Sequence, residues 1–353
     1  MPNLLEGTSP LPISFAVSLP HSLLATASLM CASSEFEGLG DWLRETRARL
    51  PEDLTSELCL LIQFPGRYAR LIGELATRLP DSAFQMDFDQ LVAHLRGIPA
   101  VHYQLIALQA LARGASPPPA PTELLNLLKS PRRWAAFLSQ VGSDVPPETV
   151  AALVQDGAGL KARLLDALER FWHQAYAEEF QATCPLMERS IGHHQARNYS
   201  SSFDDIFTAV TGRLVPEQVS ALLSTTSQVT FVPSCYVGPY VAYTYCAGHL
   251  FLFYNCRSTP AASSAIDGAS LYPPLKALAD ETRLQILLLL QGRELYAQEI
   301  VDQLDISQPA VSRHLNLMAT AGVLRIRREG NAKYYTVNGE TLARLAEALR
   351  TLA

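Results

Sequence analysis

Long apolar runs are missing from this chain, and their absence removes one class of answer first. No segment approaches the roughly 18 uninterrupted apolar residues that a membrane-spanning helix needs. The stretch from Pro12 to Met30 is broken by serines, Pro20 and His21 and has no basic segment before it. Neither a secretory signal nor a membrane anchor is expected, and no membrane partner. Closely spaced cysteines are missing too: the six, at positions 31, 59, 184, 235, 246 and 256, are scattered. That pattern predicts reduced, buried thiols in a cytoplasmic protein rather than a secreted disulfide scaffold. The chain also has no glycine-rich phosphate loop, no Gly-x-Ser-x-Gly elbow, no His-Glu-x-x-His pair and no Cys/His metal spacing. No enzyme, no cofactor and no metal site are expected from it.

An overall positive charge is absent as well, since the 353 residues carry a net −6. Charge counts where it sits, however, and the two ends of the chain differ. From residue 271 onward the net is +1, against −7 for everything before it. Within residues 306–335 the cations Arg313, Arg325, Arg327, Arg328 and Lys333 face Glu329 alone, a local net of +4.

What is present is ordinary globular composition, 48% hydrophobic and 18% charged, on a chain long enough for two or three cores. Apolar residues at three-and-four spacing predict helices over Asp41 to Leu50, Leu54 to Leu61, Arg67 to Leu79, Phe88 to Arg96, Val101 to Ala112, Thr122 to Leu128, Pro147 to Gln155 and Leu160 to Phe180. Ser116 to Pro121 is proline-rich and reads as a loop. The pattern then turns aromatic and β-branched in Val229 to Tyr236, Tyr240 to Cys246 and Leu250 to Cys256, which predicts an antiparallel meander. The expected fold class is mainly α with small antiparallel β elements. A helical effector or partner domain, residues 1–257 with the meander at about 229–256, precedes a linker at 258–270 and a winged helix-turn-helix at 271–353.

The motif carrying function lies in that last segment. Asp280 is placed to cap a helix whose apolar positions 284, 287, 288 and 290 are expected to form a buried stripe. A second helix, about Tyr296 to Leu304, is followed by a short turn at Asp305-Ile306. Ser307 then opens a third helix, stopped by Gly322. That short-turn pair has the helix-turn-helix shape, whose second helix enters the major groove. Val311, Leu315 and Met318 fall on one face and should be core. Ser307, Gln308, Pro309, Ser312, Arg313, His314 and Asn316 make up the opposite face and its N-terminal end. Gln, Asn and Arg suit base edges, Arg pairing with guanine and Gln or Asn with adenine. Such a face can also be plain solvated surface, but here two β-rich runs follow, Val323 to Arg328 and Ala332 to Val337, joined by Glu329-Gly330-Asn331. Arg325, Arg327, Arg328 and Lys333 on this wing are placed to neutralise phosphates.

The segment from about Tyr272 to Val337 closely resembles the DNA-binding domain of the ArsR family of bacterial regulators. The resemblance rests on Leu278-Ala279-Asp280-Glu281-Thr282-Arg283-Leu284-Gln285-Ile286-Leu287, on Ile306-Ser307-Gln308-Pro309-Ala310-Val311-Ser312-Arg313-His314-Leu315, on Ala321-Gly322-Val323-Leu324, and on Arg328-Glu329-Gly330 followed by Tyr334-Tyr335. It covers under a quarter of the chain and implies a dimeric winged helix, usually a repressor that releases operator DNA on a signal. Many relatives hold metals in a Cys-x-Cys pair before the recognition helix or in Asp and His residues of the last helix. Here the first place reads Glu294-Leu295-Tyr296-Ala297-Gln298-Glu299, and the last helix, Glu340 to Leu352, has no His, Cys or Asp. A non-metal signal is therefore expected.

Leu342, Leu345, Leu349 and Leu352 lie on one stripe of the last helix and are candidates for a homodimer seam, though packing on their own subunit explains them as well. The 257 residues upstream exceed what dimerisation needs and are expected to bind a small-molecule effector or a partner. Phe171, Trp172, Tyr176 and Phe180, or Tyr243, Tyr245, Phe251 and Phe253, could line its pocket, and core packing explains them equally well. His193-His194 cannot readily share one metal. Cys235, Cys246 and Cys256, with His249 nearby, read as buried thiols, with redox sensing as the alternative. The rival function classes are an enzyme, or an interaction adaptor whose N-terminal domain is the active part.

Overall fold

The computed structural model describes residues 11–36, 38–65, 70–113, 119–141, 146–197, 199, 202–238, 240–258, 268–329 and 332–351. The chain is mainly helical with small sheets, as the apolar spacing predicts. It forms two compact units, one of residues 1–15, 186–243 and 252–353 and one of residues 16–185 and 244–251.

The second unit is a helical assembly. Asp41–Arg49, Glu52–Gln63, Arg70–Ala76, Phe88–Gly97, Ala100–Ala112, Pro121–Leu127 and Pro147–Gln155 fall where the spacing puts them. Their core is built on fully buried Leu54, Leu58, Leu61, Ala107, Leu108 and Leu111. The spacing does not reveal Leu19–Ala32, Pro131–Val141, the continuation Ala177–Gln195, Phe203–Thr211 or Glu217–Leu223. Pro20, which interrupts the first of these as a sequence, stands at its N-terminal turn. There its missing N–H costs nothing and its fixed φ helps the helix start. Leu160 to Phe180 is not one regular helix. Gly157–Phe171 passes into a π-helical turn, Trp172–Tyr176. The widened turn rotates the aromatic positions, and Tyr176 comes to stack on Phe171 at 5.7 Å between ring centroids.

The meander is corrected. The strands Gln228–Ser234, Ala242–Cys246 and His249–Asn255 form, but His249–Asn255 lies next to Gln228–Ser234, and Ala242–Cys246 is an edge. Burial explains this order. His249–Asn255 buries its five central residues on both faces and suits a central position, whereas Ala242–Cys246 stays half exposed. The two are joined by a tight turn in which Ala247 (φ 46°) and Gly248 (φ 89°) are both left-handed, as a two-residue hairpin requires. A fourth strand, Ile13–Phe15, runs parallel to Gln228–Ser234 in register Ile13 to Val229, with Ser14 Oγ 2.8 Å from Thr230 Oγ1. Nothing local in the sequence announces a strand of three residues.

The C-terminal segment contains α1 (Gly268–Leu278), α2 (Glu281–Leu289), β1 (Leu295–Tyr296), α3 (Ala297–Leu304), α4 (Gln308–Thr320), β2 (Leu324–Glu329), β3 (Ala332–Val337) and α5 (Gly339–Thr351). The last three residues of the expected linker, 268–270, are thus already helical, and 259–267 lie outside the described residues. The core joins Ala277, Ile286, Leu290, Leu295, Ile300, Val311, Leu315, Met318, Val323, Leu324 and Tyr335. Asp280 caps α2 by accepting from the Arg283 N–H at 3.0 Å, as expected. The stripe on α2 is corrected, because Leu284 (45% exposed) and Leu288 (68% exposed) face outward while Ile286 and Leu290 are buried. A helix apolar on nearly every side carries no directional signal, and packing alone selects which row turns in. Among the described residues no helix is long and apolar enough to cross a membrane.

Candidate nucleic-acid interface

The turn between α3 and α4 is set by Asp305, which adopts the left-handed conformation (φ 52°) and closes α3 by donating its N–H to Val301 O at 3.0 Å. Ser307 then begins α4, its carbonyl accepting from the N–H groups of Ala310 (2.9 Å) and Val311 (3.0 Å). Pro309, in the first turn, lacks only an N–H that had no intrahelical partner. Val311, Leu315 and Met318 are all fully buried. That anchoring leaves Ser307, Gln308, Pro309, Arg313 and Asn316 exposed and Ser312 half-buried.

His314 sits differently. It is half-buried, with Nδ1 4.0 Å from Oδ1 of Asp280, the α2 cap, whose other oxygen lies 3.4 Å from Arg283. Its surroundings fit a tie between α4 and α2 as well as a groove contact.

The wing is an antiparallel pair in which Arg325 faces Thr336, Arg327 faces Tyr334 and Arg328 faces Lys333 across the strands. Side chains alternate along a strand, so Arg325 and Arg327 share one face while Lys333, next to the position opposite Arg327, lies on the other. The wing's cations are therefore divided between two surfaces, which their sequence proximity hides. Arg325, Arg327 and Lys333 are exposed; of Arg328 only its strand position is described, and the tip, 330–331, lies outside the described residues.

Arg327 already has a counterion. It donates from Nη2 to Glu294 Oε1 at 2.5 Å and from Nε to Oε2 at 3.1 Å, and lies over the Tyr334 ring at 4.7 Å. The Arg327 hydrogen bond holds the Glu294 carboxyl below its usual pKa. The sequence reading misses Glu294, Tyr334 and also β1, which adds Leu295 and Tyr296 to the wing sheet opposite Tyr335 and Tyr334. The wing is tied to the end of α4 by Asn338, whose Nδ2 donates to Gly322 O at 2.9 Å and whose backbone N–H donates to Val323 O at 2.8 Å. Gly322 takes φ 73° there, a conformation that favours glycine.

The arrangement is a helix-turn-helix followed by a winged hairpin. The family model for the bacterial regulatory protein, arsR family, matches residues 280–325, which run from the α2 cap to the second residue of β2. The transcriptional repressor SdpR of Bacillus subtilis is 40% identical over 67 residues, 19% of this chain and 74% of that protein. The chain belongs to the ArsR family. Another ArsR-family relative, the transcriptional activator HlyU of Vibrio cholerae, is 37% identical over 78 residues, 22% of this chain and 72% of that protein. A solved structure of HlyU from V. cholerae N16961 matches at 36% identity over 24% of this chain and 91% of that one, with a TM-score of 0.21.

Upstream, the aromatic candidates Phe171, Trp172, Tyr176, Phe251 and Phe253 are buried. Cys235 and Cys256 are buried with their sulfurs 3.2 Å apart, and Cys246 is half-buried. His194 is buried, hydrogen-bonded to the Tyr199 hydroxyl at 2.5 Å and stacked on Phe15. Burial, assisted by His193 and Arg197, lowers its pKa to about 4. On the last helix Leu345 is buried in its own subunit and Leu342 packs on the winged-helix core. Leu349 is 44% exposed, and Leu352 lies outside the described residues.

Proposed function

We propose that this protein is a sequence-specific operator-binding repressor that acts as a homodimer, with residues 271–353 gripping DNA and residues 1–257 modulating the grip through a non-metal signal, in the cytoplasm. The observation that carries the reading is the two-sidedness of α4: Val311, Leu315 and Met318 fully buried, Gln308, Arg313 and Asn316 exposed. A helix anchored this firmly can present base-reading side chains at fixed positions. Arg313, Asn316, Gln308 and Ser312 read base edges, with Ser307 and Pro309 at the groove entry. Arg325, Arg328 and Lys333 neutralise phosphates. Arg327 joins them only after exchanging Glu294 for a phosphate.

Repression is the sign that the name of SdpR carries, while that of HlyU carries activation. For the dimer, support comes from exposed apolar side chains on α1 and the two helices that pack on it: Tyr272 on α1, Leu284 and Leu288 on α2 and Leu349 on α5. A second copy covering them would set two copies of α4 about one DNA turn, roughly 34 Å, apart. The test is fluorescence anisotropy of the full-length protein on DNA upstream of its own gene and of neighbouring genes, with scrambled competitor, at two salt concentrations. Competitor-resistant, salt-sensitive binding is expected. Binding no tighter than to scrambled DNA at every promoter rejects the reading.

A further inference from the structure

In the helical unit, Asp41–Arg49 and Glu52–Gln63 both pack on Leu19–Ala32, and a cleft of about 470 Å³ opens where the three come together. That volume lies within the range of small-molecule sites, about 300–1,000 Å³. Its polar lining includes Arg44, Arg47, Ser34 and Ser56, while Ala48 and Leu50 add apolar wall. Among the described residues that line it, Glu52 is the one acidic side chain, so two arginines against one glutamate leave the lining with a net +1.

Arg44 and Arg47 stand three residues apart and so share one face of their helix. Arg47 is half-buried and anchored: its Nη1 donates to Cys31 O at 2.9 Å and to Ser34 Oγ at 3.1 Å. Cys31 O belongs to the last turn of Leu19–Ala32, an end that favours a cation. Both bonds use the same nitrogen. Among the described residues, Nε and Nη2 of Arg47 have no hydrogen-bond partner. Ser34 accepts from Arg47 through its oxygen, which leaves its own O–H as a donor. Arg44 is joined to Asp41 in an exposed pair.

The other acids near the start of Glu52–Gln63 are engaged elsewhere. Asp53 pairs with Arg170 at 2.7 Å and Glu57 with Arg163 at 2.6 Å, both arginines on Gly157–Phe171. They do not neutralise the cleft's guanidinium groups.

We propose that this cleft binds a small monocarboxylic acid with a compact apolar body. The carboxylate accepts two parallel hydrogen bonds from Nε and Nη2 of Arg47 and a third from the Ser34 hydroxyl, Arg44 adds positive charge, and the apolar body lies against Ala48 and Leu50. A guanidinium fork matches the planar carboxylate. Because Arg47 is already held through Nη1, little of its side-chain freedom remains to be lost on binding. One negative charge balances the lining, whereas a dianion leaves charge in excess and a cation meets two arginines. Only the use of this acid as the signal acting on residues 271–353 rests on the function proposed above; the binding itself does not.

The test is ¹⁹F NMR of 4-fluorobenzoate at millimolar concentration, titrated with the full-length protein in the absence of DNA, so that its outcome is independent of operator binding. Saturable line broadening is expected, with 4-fluorobenzamide, a neutral molecule of the same shape, binding about tenfold more weakly. Arg47→Gln should weaken 4-fluorobenzoate binding by a similar factor. Arg47 also ties down the end of Leu19–Ala32, so Ala48→Glu serves as a second variant: the position is exposed and the Arg47 anchor is kept, while a carboxylate is placed in the lining. It should abolish binding and leave the thermal midpoint unchanged. No saturable binding to wild type, or undiminished binding to a folded Ala48→Glu protein, overturns the site. Equal binding of 4-fluorobenzamide, or tighter binding of 4-fluorophenyl phosphate, overturns the assigned ligand class.

Discussion

Arg327 and Glu294, thirty-three positions apart, are joined at two points across the wing, Nη2 to Oε1 at 2.5 Å and Nε to Oε2 at 3.1 Å. The pair is half exposed, so it contributes little to folding. Its consequence lies in DNA binding: a cation that the sequence offers to phosphate is held by a carboxylate. Glu294→Gln removes that competitor while keeping a hydrogen-bonding side chain of the same shape. Binding to operator and scrambled DNA alike should tighten, and the salt slope should steepen by about one counterion. Anisotropy titrations over a salt series read both, and an unchanged slope rejects a phosphate role for Arg327.

The buried and exposed leucines of the winged helix should respond oppositely to truncation. Leu315→Ala opens a cavity beneath α4 and should cost about 2–5 kcal/mol, seen as faster hydrogen exchange of α4 amides. Leu288, 68% exposed, packs little within its own subunit. Leu288→Ala should leave that exchange nearly unchanged, within about 0.5 kcal/mol, and weaken self-association in sedimentation velocity. Loss of α4 protection in L288A would show that Leu288 acts inside the subunit.

His21 gives the helical unit a pH dependence. It is 4% exposed, its Nδ1 2.7 Å from Ser18 Oγ and its ring stacked on Phe251 at 4.2 Å. Burial first, and neighbouring His249 second, lower its pKa to about 4 from the ordinary 6.5. Below pH 6.5 the unfolded chain binds the proton and the folded one does not. The stability contribution is therefore fully present above 6.5 and lost as pH falls towards 4, about 3 kcal/mol in all. His21→Gln should lose this component, so the difference in unfolding midpoint between wild type and variant should shrink across that window. A constant difference from pH 7 to pH 4 would show that His21 does not titrate on unfolding.

The winged helix was legible because its signals are local. Asp280 as a cap, Ser307 opening α4, Gly322 stopping it and two β-rich runs about a short turn each specify their own few residues, and their order specifies the motif. What escaped depends on distant partners. The sheet order requires knowing that Ile13–Phe15 meets residues beyond 228 and that His249–Asn255 is covered on both faces. The outward turn of Leu284 and Leu288 is decided by packing, because the leucine run offers a core face in several directions. The site was legible as a list of residue types. It was not legible as a set of engagements: Arg327 held by Glu294, His314 drawn to Asp280, and the wing cations split between two faces.

If α4 reads bases while the wing holds phosphates, removing one cation from each must change binding in different ways. Anisotropy titrations of wild type, Arg313→Ala and Lys333→Ala against operator and scrambled DNA, each across a salt series, separate the two roles. Arg313→Ala should lose about 1–3 kcal/mol of discrimination between the two DNAs. Lys333→Ala should keep the discrimination, weaken both complexes alike and flatten the salt slope by about one. Discrimination that survives in Arg313→Ala, together with a salt slope unchanged in Lys333→Ala, would show that α4 and the wing do not divide base reading and phosphate binding in this way.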